Sequence, residues 1–370
     1  YFDFFNSFNL FRYGFMGFNT WPGQTAFASI QDFLDATDPA NPRDFGSFIT
    51  PESVPYKGEF IEVGQLSFYA QDEFLISNQF SLTYGVRMDL PMYFTEPVDN
   101  PWSRGLKLLD EDDNPETVDQ SKLPGASPLF SPRIGFNWDL TGDRSTQLRG
   151  GVGIFTGRIP FVWVGNNISN PGLNPNLYPA VNPSISDPTL ITSGNKIPTQ
   201  DNSILMQSSD LNAMVDDFKW PQNFTANLAI DKKLFWDLLG TLEVIYTKDI
   251  NAIYIRNANL GKPQTTLKDG RPYFGTVADT NFTSGGAYII DNNDLGNSLN
   301  ITAQLRKNFD FGLSTSLSYS FLEAKNALTS TEIASVLYSI NPVKGDPNKP
   351  ELGYSQFGQR HRIVGGTTYR

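Results

Sequence analysis

The sequence contains no cysteine and a single histidine, His361, among its 370 residues. The lack of cysteine excludes disulfide frameworks, thiolate metal sites and cysteine nucleophiles. One histidine does not favour a multi-histidine metal site or a serine–histidine–aspartate triad. No segment approaches the roughly 20 consecutive apolar residues of a membrane-spanning helix, so the helical class of membrane protein is excluded too.

Charged residues are also scarce, at 18% of the chain, compared with roughly 25% in ordinary soluble domains. The net charge is −11 and basic clusters are lacking, so we expect no nucleic-acid partner. Aromatic residues, in contrast, reach 14%. A chain that is aromatic and poor in charge, yet polar on average, is typical of strands with one apolar and one polar face.

Alternation of apolar and polar residues is the strongest pattern in the sequence. Over residues 298–308 it places Leu299, Ile301 and Leu305 on one face of a strand and Arg306 on the other. The same alternation runs through 80–90, 134–140, 224–230, 242–252 and 313–321. We therefore predict an all-β, antiparallel, up-and-down fold with about nine strands in this chain.

The predicted connections alternate between short and long. Short turns are expected near 77–79, 141–145, 237–240 and 310–312. Long polar connections are expected at 95–129, 158–222, 261–297 and 325–356. A transmembrane β-barrel has short periplasmic turns at one rim and long extracellular loops at the other. Such loops are uncommon in compact soluble domains and disfavour the alternative, a large soluble sandwich with one wet face.

The two faces of the predicted strands suit two surroundings. We expect the apolar face to contact outer-membrane lipid through residues that include Leu299, Ile301, Leu305, Leu317 and Phe136. The polar face does not suit a dry core, so we expect it to line a lumen. The residues predicted to face that lumen and contact a plug or a solute are Arg87, Asp89, Arg133, Arg149, Glu243 and Arg306. Aromatic residues expected in the interfacial girdles are Tyr84, Tyr93, Trp138, Tyr254 and Tyr319.

Three local motifs are weak indications of features other than barrel strands. The acidic run at 110–114 is similar to the start of a calcium loop, but proline and serine replace the required glycine and glutamate. We expect a solvated loop there, with calcium at Asp110 and Asp112 as the less favoured alternative. The glycines at 150–157 indicate close strand approach rather than a phosphate loop, and 28–36 has the spacing of a short amphipathic helix.

With no clustered nucleophile and base, we predict no cofactor, no catalytic site and no enzyme.

Long stretches of this sequence resemble the barrel of Oar-like TonB-dependent outer-membrane transporters. They lie at 64–91, 129–170, 240–260 and 341–364 and include GQLSFYAQDEF, LFSPRIGFNWDL, GTLEVIYTKDINAIYIRNANL and NPVKGDPNKPELGYSQFGQRHRIV. The resemblance implies a 22-stranded barrel in the outer membrane of a Gram-negative bacterium. It also implies an N-terminal plug in the lumen and energy supplied by the TonB–ExbB–ExbD complex.

On this resemblance, residues 1–370 form a fragment of one outer-membrane β-barrel domain, without the plug and the closing strands. The implied function is a transporter or receptor that binds a ligand at its extracellular loops and passes it through a plugged lumen. Two alternatives stay open. One is a passive porin-like channel. The other is a structural or adhesive barrel subunit of a secretion or surface assembly complex, with a surface lipoprotein or an assembly protein as partner. Glycans, peptides, siderophores and proteins all stay open as the substrate.

Overall fold

The computed structural model describes residues 2–6, 15–16, 24–25, 31, 59–97, 100, 103–169, 210–280, 286–328, 333–341 and 343–370. The helix predicted at 28–36 therefore lies outside the described residues except at residue 31. Within the described ranges, no helix is both long and apolar enough to cross a membrane.

The described elements are mainly β-strands. In chain order the strands are β1 (Phe2–Asn6), β2 (Phe15–Met16), β3 (Gln24–Thr25), β4 (Glu59–Ser77), β5 (Phe80–Tyr93), β6 (Leu108–Leu109), β7 (Pro115–Glu116), β8 (Leu129–Asp139), β9 (Thr146–Thr156), β10 (Leu211–Met214), β11 (Gln222–Lys233), β12 (Leu239–Asp249), β13 (Ala252–Asn257), β14 (Thr265–Thr266), β15 (Pro272–Tyr273), β16 (Ala287–Asn293), β17 (Asn297–Asn308), β18 (Leu313–Asn326), β19 (Gly353–Tyr354) and β20 (His361–Tyr369). The described helices are α1 (Phe161–Ser169) and α2 (Ala334–Ile340), with 3-10 turns at Ser103–Gly105 and Phe235–Asp237.

One antiparallel sheet of eleven strands organises the molecule. Its order is β1-β4-β5-β8-β9-β11-β12-β17-β18, and β19 and β20 both pair with β18. Successive long strands are neighbours throughout, which is the up-and-down arrangement. The prediction of an antiparallel fold with about nine long strands is confirmed by β4, β5, β8, β9, β11, β12, β17, β18 and β20.

The register separates the two faces of this sheet. Leu305 pairs with Leu317 and with Gly240, whereas Arg306 pairs with Ser316 and Leu239. The opposite orientation predicted for Leu305 and Arg306 is therefore confirmed. We call the face of Leu305 the outward face and the face of Arg306 the inner face. The outward face also carries the remaining residues predicted to contact lipid, which are Leu299, Ile301, Leu317 and Phe136.

Two predicted boundaries near β12 are wrong. The turn lies at residues 234–238 rather than 237–240, because Phe235–Asp237 forms a 3-10 turn and Leu234 N–H donates to the Leu238 carbonyl at 2.7 Å. Trp236 and Asp237 take the left-handed conformation there, with φ of 59° and 55°. The strand predicted at 242–252 ends at Asp249, since residues 252–257 pair in a different sheet as β13.

The glycines of β9 allow its backbone to lie close to its neighbours. A Cβ added to Gly151 would lie 2.8 Å from the Ile134 carbonyl oxygen and 3.2 Å from Gly135 Cα. A Cβ on Gly150 would lie 2.8 Å from the Asn227 carbonyl oxygen. These contacts are with backbone atoms, which cannot rotate away. The interpretation of close strand approach is confirmed for Gly150 and Gly151, whereas Gly157 lies beyond β9 and its added Cβ would meet nothing nearer than 3.8 Å.

Replacing Gly151 with alanine is expected to lower the free energy of unfolding by about 1–3 kcal/mol, the usual cost of overpacking. The urea concentration that converts the folded, fast-migrating gel band to the unfolded band reports this change. Gly125→Ala is the matched control, since nothing lies within 4 Å of its added Cβ. Equal midpoints for the two variants would contradict the close approach of β8 and β9.

The long connections, which we predicted only as long polar loops, fold against one another. We call their described residues, at 94–97, 100, 103–128, 157–169, 210–221, 250–280, 286–296, 327–328, 333–341 and 343–360, the cap. A three-stranded sheet, β10-β16-β13, lies within it. Its apolar core includes Trp163, Phe218, Trp220, Ile290 and Leu337 and continues onto Ile61, Val63 and Leu129 of the main sheet.

The cap also changes the placement of two aromatic residues. Tyr254 lies in β13 and is buried in the cap, and the Tyr93 hydroxyl accepts a hydrogen bond from Trp220 Nε1 at 2.8 Å. The expectation that Tyr93 and Tyr254 belong to an interfacial girdle is therefore wrong. Tyr84, Trp138 and Tyr319 lie on the outward face, where each is between 42% and 45% exposed.

Candidate functional site

The inner face is the candidate functional surface, because it gathers the polar side chains of the main sheet. All six residues predicted to face a lumen lie on it, on β5, β8, β9, β12 and β17: Arg87, Asp89, Arg133, Arg149, Glu243 and Arg306. The structure does not gather them at one point. It forms one cluster near the short turns and a second near the cap, and Arg133 belongs to neither.

The cluster near the short turns is built around Arg149 of β9. Its Nε lies 3.0 Å from Asp231 Oδ2 and its Nη1 lies 3.2 Å from Glu243 Oε1. Thr241 donates a further hydrogen bond to Asp231 Oδ1 at 2.6 Å. On the adjoining strand, β17, Arg306 Nη2 donates to Gln304 Oε1 of the same strand at 3.0 Å. These side chains line an open cavity of about 640 Å³ at the short-turn end of the inner face.

Asp231 is a member of this cluster that sequence reasoning missed. The predicted strand ended at Ile230, whereas β11 continues to Lys233. The alternation that assigns Ile230 to the outward face assigns Asp231 to the inner face, so the signal was present one residue beyond the predicted end.

The second cluster surrounds Asp89, which is only 1% exposed although it is a carboxylate. Arg87 Nε lies 2.8 Å from Asp89 Oδ2, and Arg87 Nη2 lies 2.8 Å from Asp89 Oδ1. Ser67 and Gln65 of β4 donate to the same Oδ1 at 2.6 and 2.8 Å. Four donor contacts satisfy the buried charge, as such burial requires. Ser67 and Gln65 were not predicted as site residues, although their position opposite Asp89 and Pro91 places them on the inner face.

Arg133 lies between the two clusters on β8 and is exposed. Its register partners on the neighbouring strands are Gly85 and Gly153. No side chain therefore stands beside Arg133 at these two register positions of the inner face, and a charge cluster lies on either side of it. Its guanidinium has five donors available to a group that approaches this face.

The cap is held together by a buried arginine, Arg256 of β13, which is 2% exposed. Its Nη1 and Nη2 each lie 2.6 Å from a Glu116 carboxylate oxygen, and its Nε lies 3.2 Å from Asp291 Oδ2. Burial alone lowers the pKa of Arg256, but the hydrogen bonds and charge of Glu116 and the charge of Asp291 raise it overall. Arg256 is therefore a permanent cation that joins the first long connection to the third.

Side-chain amides join the remaining connections of the cap. The Asn166 side-chain oxygen in α1 accepts from Ala334 N–H at the start of α2, at 2.9 Å. Asn348 accepts from Asn257 N–H at 2.7 Å and donates to the Asn257 carbonyl at 2.9 Å. Gln120 donates to the Asn167 carbonyl at 3.1 Å. All four long connections are thus bonded to one another, and the cap is one folded unit.

The acidic run of the first long connection forms a tight turn between β6 and β7. Asp110 Oδ1 accepts from the backbone N–H groups of Asp112 and Asn114 at 2.9 and 2.8 Å. Partial burial raises the pKa of Asp110, but these hydrogen bonds and that of the Asn114 amide lower it overall. Among the described residues no three acidic or histidine side chains converge as metal ligands. Calcium at Asp110 and Asp112 stays the less favoured alternative to a loop without a metal.

The family model for the outer membrane beta barrel domain matches residues 2–370 of this sequence. The chain belongs to that family. It is an outer-membrane β-barrel protein, and its main sheet is part of the barrel wall. In such a barrel the apolar outward face meets lipid, and the rim of short turns faces the periplasm. The cap lies at the opposite rim.

No curated protein matches the sequence. Solved structures similar to this outer-membrane barrel include the siderophore receptor PirA from Acinetobacter baumannii, at 10% identity and a TM-score of 0.42, covering 84% of this chain and 39% of that one. The alcaligin outer-membrane receptor FauA from Bordetella pertussis has 12% identity and a TM-score of 0.37, covering 85% and 35%. The ferric-catecholate import receptor Fiu from E. coli K12 has 14% identity and a TM-score of 0.37, covering 84% and 32%. This chain therefore spans about a third of the length of those receptors.

Proposed function

We propose that this chain forms wall and cap of an Oar-like TonB-dependent transporter. In this proposal the cap captures a ligand, the inner face holds an N-terminal plug, and the TonB–ExbB–ExbD complex supplies the energy that displaces the plug. The observation that carries the proposal is the direction in which the cap folds. Its core continues onto Ile61, Val63 and Leu129, which all belong to the inner face.

A cap packed on the inner face supports a gated pore over a passive channel. Long loops that turned outward would leave the lumen open to solutes. Here the Trp220 indole bonds to Tyr93, whose side chain lies on the inner face of β5, so the cap covers the end of the lumen wall. Passage of a large solute would require this cap to move.

The charge clusters of the inner face support contact with a plug. The Arg149 side chain is 40% exposed although it bonds two carboxylates, and the Arg87 side chain is 42% exposed. Both guanidinium groups therefore present unused donors away from the wall. A polar plug surface offers hydrogen-bond acceptors at fixed positions for these donors. Water in an open lumen also accepts hydrogen bonds, but its positions are not fixed.

We propose further that the protein is not an enzyme. Its one histidine, His361, pairs with Phe321 on the outward face, and its Nδ1 lies 2.9 Å from the Tyr319 hydroxyl. The ring therefore belongs to the lipid side of the wall, far from the carboxylates of the inner face. On that face Asp89, Asp231 and Glu243 are bonded to arginines, an arrangement that favours structure over proton transfer.

Photo-crosslinking from two adjacent residues of β17 tests the proposed function. A photoreactive amino acid at Arg306 of the full-length protein in cells is expected to crosslink to a plug segment of the same polypeptide. The same amino acid at Leu305, on the outward face, is the matched control and is expected to crosslink to lipid. Mass spectrometry of the products identifies the partner.

Two outcomes would contradict the transporter. Absence of a protein crosslink at Arg306 would favour a passive channel. A stoichiometric crosslink to a different polypeptide would favour a subunit of a secretion or surface assembly complex.

A further inference from the structure

An apolar groove crosses the outward face next to the short turns. It has a volume of about 490 Å³, within the usual range of small-molecule sites. Strands β11, β12, β17 and β18 form it. Ala303 and Gly240 lie in its floor, and Leu234 Cδ1 and Leu305 Cδ2 lie 3.0 and 3.7 Å from the position of a Cβ added to Gly240. Its outward-facing walls are Ile230, Lys232, Leu234, Leu242, Leu305, Leu317 and Tyr319.

The groove has a polar end and an apolar end. Lys232 pairs with Gly240 near the ends of β11 and β12, so it lies at the periplasmic rim. Tyr319 pairs with Ala303, two residues further from the short turns than the pair Leu305 and Leu317. The groove thus extends from a cation at the rim into the hydrocarbon region of the membrane.

The cation at the rim is available to a ligand. Lys232 is exposed and forms no ion pair with any residue in the described part of the chain. The nearby carboxylate of Asp237 lies 2.9 Å from Lys233 Nζ instead. Lys307, on the same outward face, lies near this rim with its Nζ 4.8 Å from the centroid of the Phe309 ring.

Exposed aromatic side chains mark the level of the lipid head groups beside Lys232. Phe235 and Trp236 are 68% and 75% exposed at the turn that follows β11, with their ring centroids 5.0 Å apart. Aromatic rings of this kind are enriched at the boundary between hydrocarbon and water. An anionic head group at this depth would reach the Lys232 ammonium, since basic residues close to the membrane surface attract anionic lipids.

We propose that the groove is a binding site for one phospholipid with an anionic head group. One acyl chain lies against Leu234, Leu242 and Leu305, with Ala303 in the floor of the groove, and the lipid phosphate bonds to Lys232. The site requires only the membrane position of the barrel wall, so it does not depend on whether the protein transports a ligand. Charge complementarity distinguishes this occupant from the unselective lipid that surrounds any barrel.

Competition between two spin-labelled lipids tests the site. Electron paramagnetic resonance measures the motionally restricted fraction of phosphatidylglycerol and of phosphatidylcholine, labelled at the same chain position, with the full-length protein in phosphatidylcholine bilayers. The native protein is expected to prefer phosphatidylglycerol by about fivefold, which is the effect of one basic side chain near the membrane surface. Equal binding of both lipids by the native protein would overturn the proposal.

Three variants separate the site from general lipid contact. Lys232→Gln is expected to abolish the preference for phosphatidylglycerol. Ala303→Phe fills the groove and is expected to lower the restricted fraction of both lipids. Lys248→Gln is the matched control, because Lys248 lies on the same outward face at the cap end of β12.

Equal effects of Lys232→Gln and Lys248→Gln would overturn the proposal. So would a change in oligomeric state with Ala303→Phe and no change in lipid binding, which would assign the groove to a second copy of the chain.

Discussion

Replacing Arg256 with methionine is expected to lower the free energy of unfolding of the cap by about 3–5 kcal/mol, the usual cost of removing one partner from a buried ion pair. Arg256 is 2% exposed and bonds Glu116 through both terminal nitrogens, each at 2.6 Å. Without it, the carboxylates of Glu116 and Asp291, whose side chains are 21% and 18% exposed, keep their charge but lose their partner. The first and third long connections would then separate.

Hydrogen exchange of the backbone amides in β13 and β16 measures this opening, while exchange in β8 and β9 reports that the barrel wall is intact. Arg271→Met is the matched control. Arg271 lies 2.6 Å from Asp269, but both side chains are more than half exposed, so no measurable loss of protection is expected. Unchanged protection of β13 in Arg256→Met would contradict the role of Arg256.

A triple variant distinguishes unpaired charge from lost packing. Arg256→Met combined with Glu116→Gln and Asp291→Asn removes both partly buried carboxylates together with their cation. Part of the protection is therefore expected to return, because exchanging both partners for neutral groups costs less than removing one. A triple variant that is as open as Arg256→Met would mean that the guanidinium acts through its packing.

The barrel wall could be predicted from the sequence because its information is local. A strand that separates lipid from a polar interior shows its two faces within a few residues, as Leu305 and Arg306 do. The short turns were found for the same reason, except where Phe235–Asp237 forms a 3-10 turn. That turn depends on two non-glycine residues in the left-handed conformation, which the sequence does not indicate.

The cap could not be predicted, because its information lies in distant pairs. Arg256 and Glu116 are separated by 140 positions, and Ala334 and Asn166 by 168. Strands β13 and β16 are buried in the cap, so they show a short apolar run rather than alternation, and such a run does not identify its partner. The same limit applies to the inner face. Alternation assigns Arg149 and Arg87 to it, but only the register shows that they form separate clusters.

Replacing Trp220 with alanine is the second change with a large expected effect, because Trp220 joins the cap to the barrel wall. Trp220 is 1% exposed within the cap core, and its Nε1 donates to the Tyr93 hydroxyl at 2.8 Å. The expected loss is about 3–5 kcal/mol in the free energy of cap unfolding, as for other buried aromatic residues cut back to alanine. Limited proteolysis of the cap, with the folded barrel band as reference, measures the loss.

Two further variants separate packing from the hydrogen bond at Trp220. Tyr93→Phe keeps the ring but leaves the buried indole N–H without its acceptor, so a loss of about 1–3 kcal/mol is expected. Trp236→Ala is the matched control: Trp236 is 75% exposed at a short turn, and a change within about 0.5 kcal/mol is expected. If the cap resisted proteolysis equally in Trp220→Ala and Trp236→Ala, the cap would be attached to the wall by its other contacts. If Tyr93→Phe cost as much as Trp220→Ala, the single hydrogen bond would carry the attachment, and packing of the indole would add little.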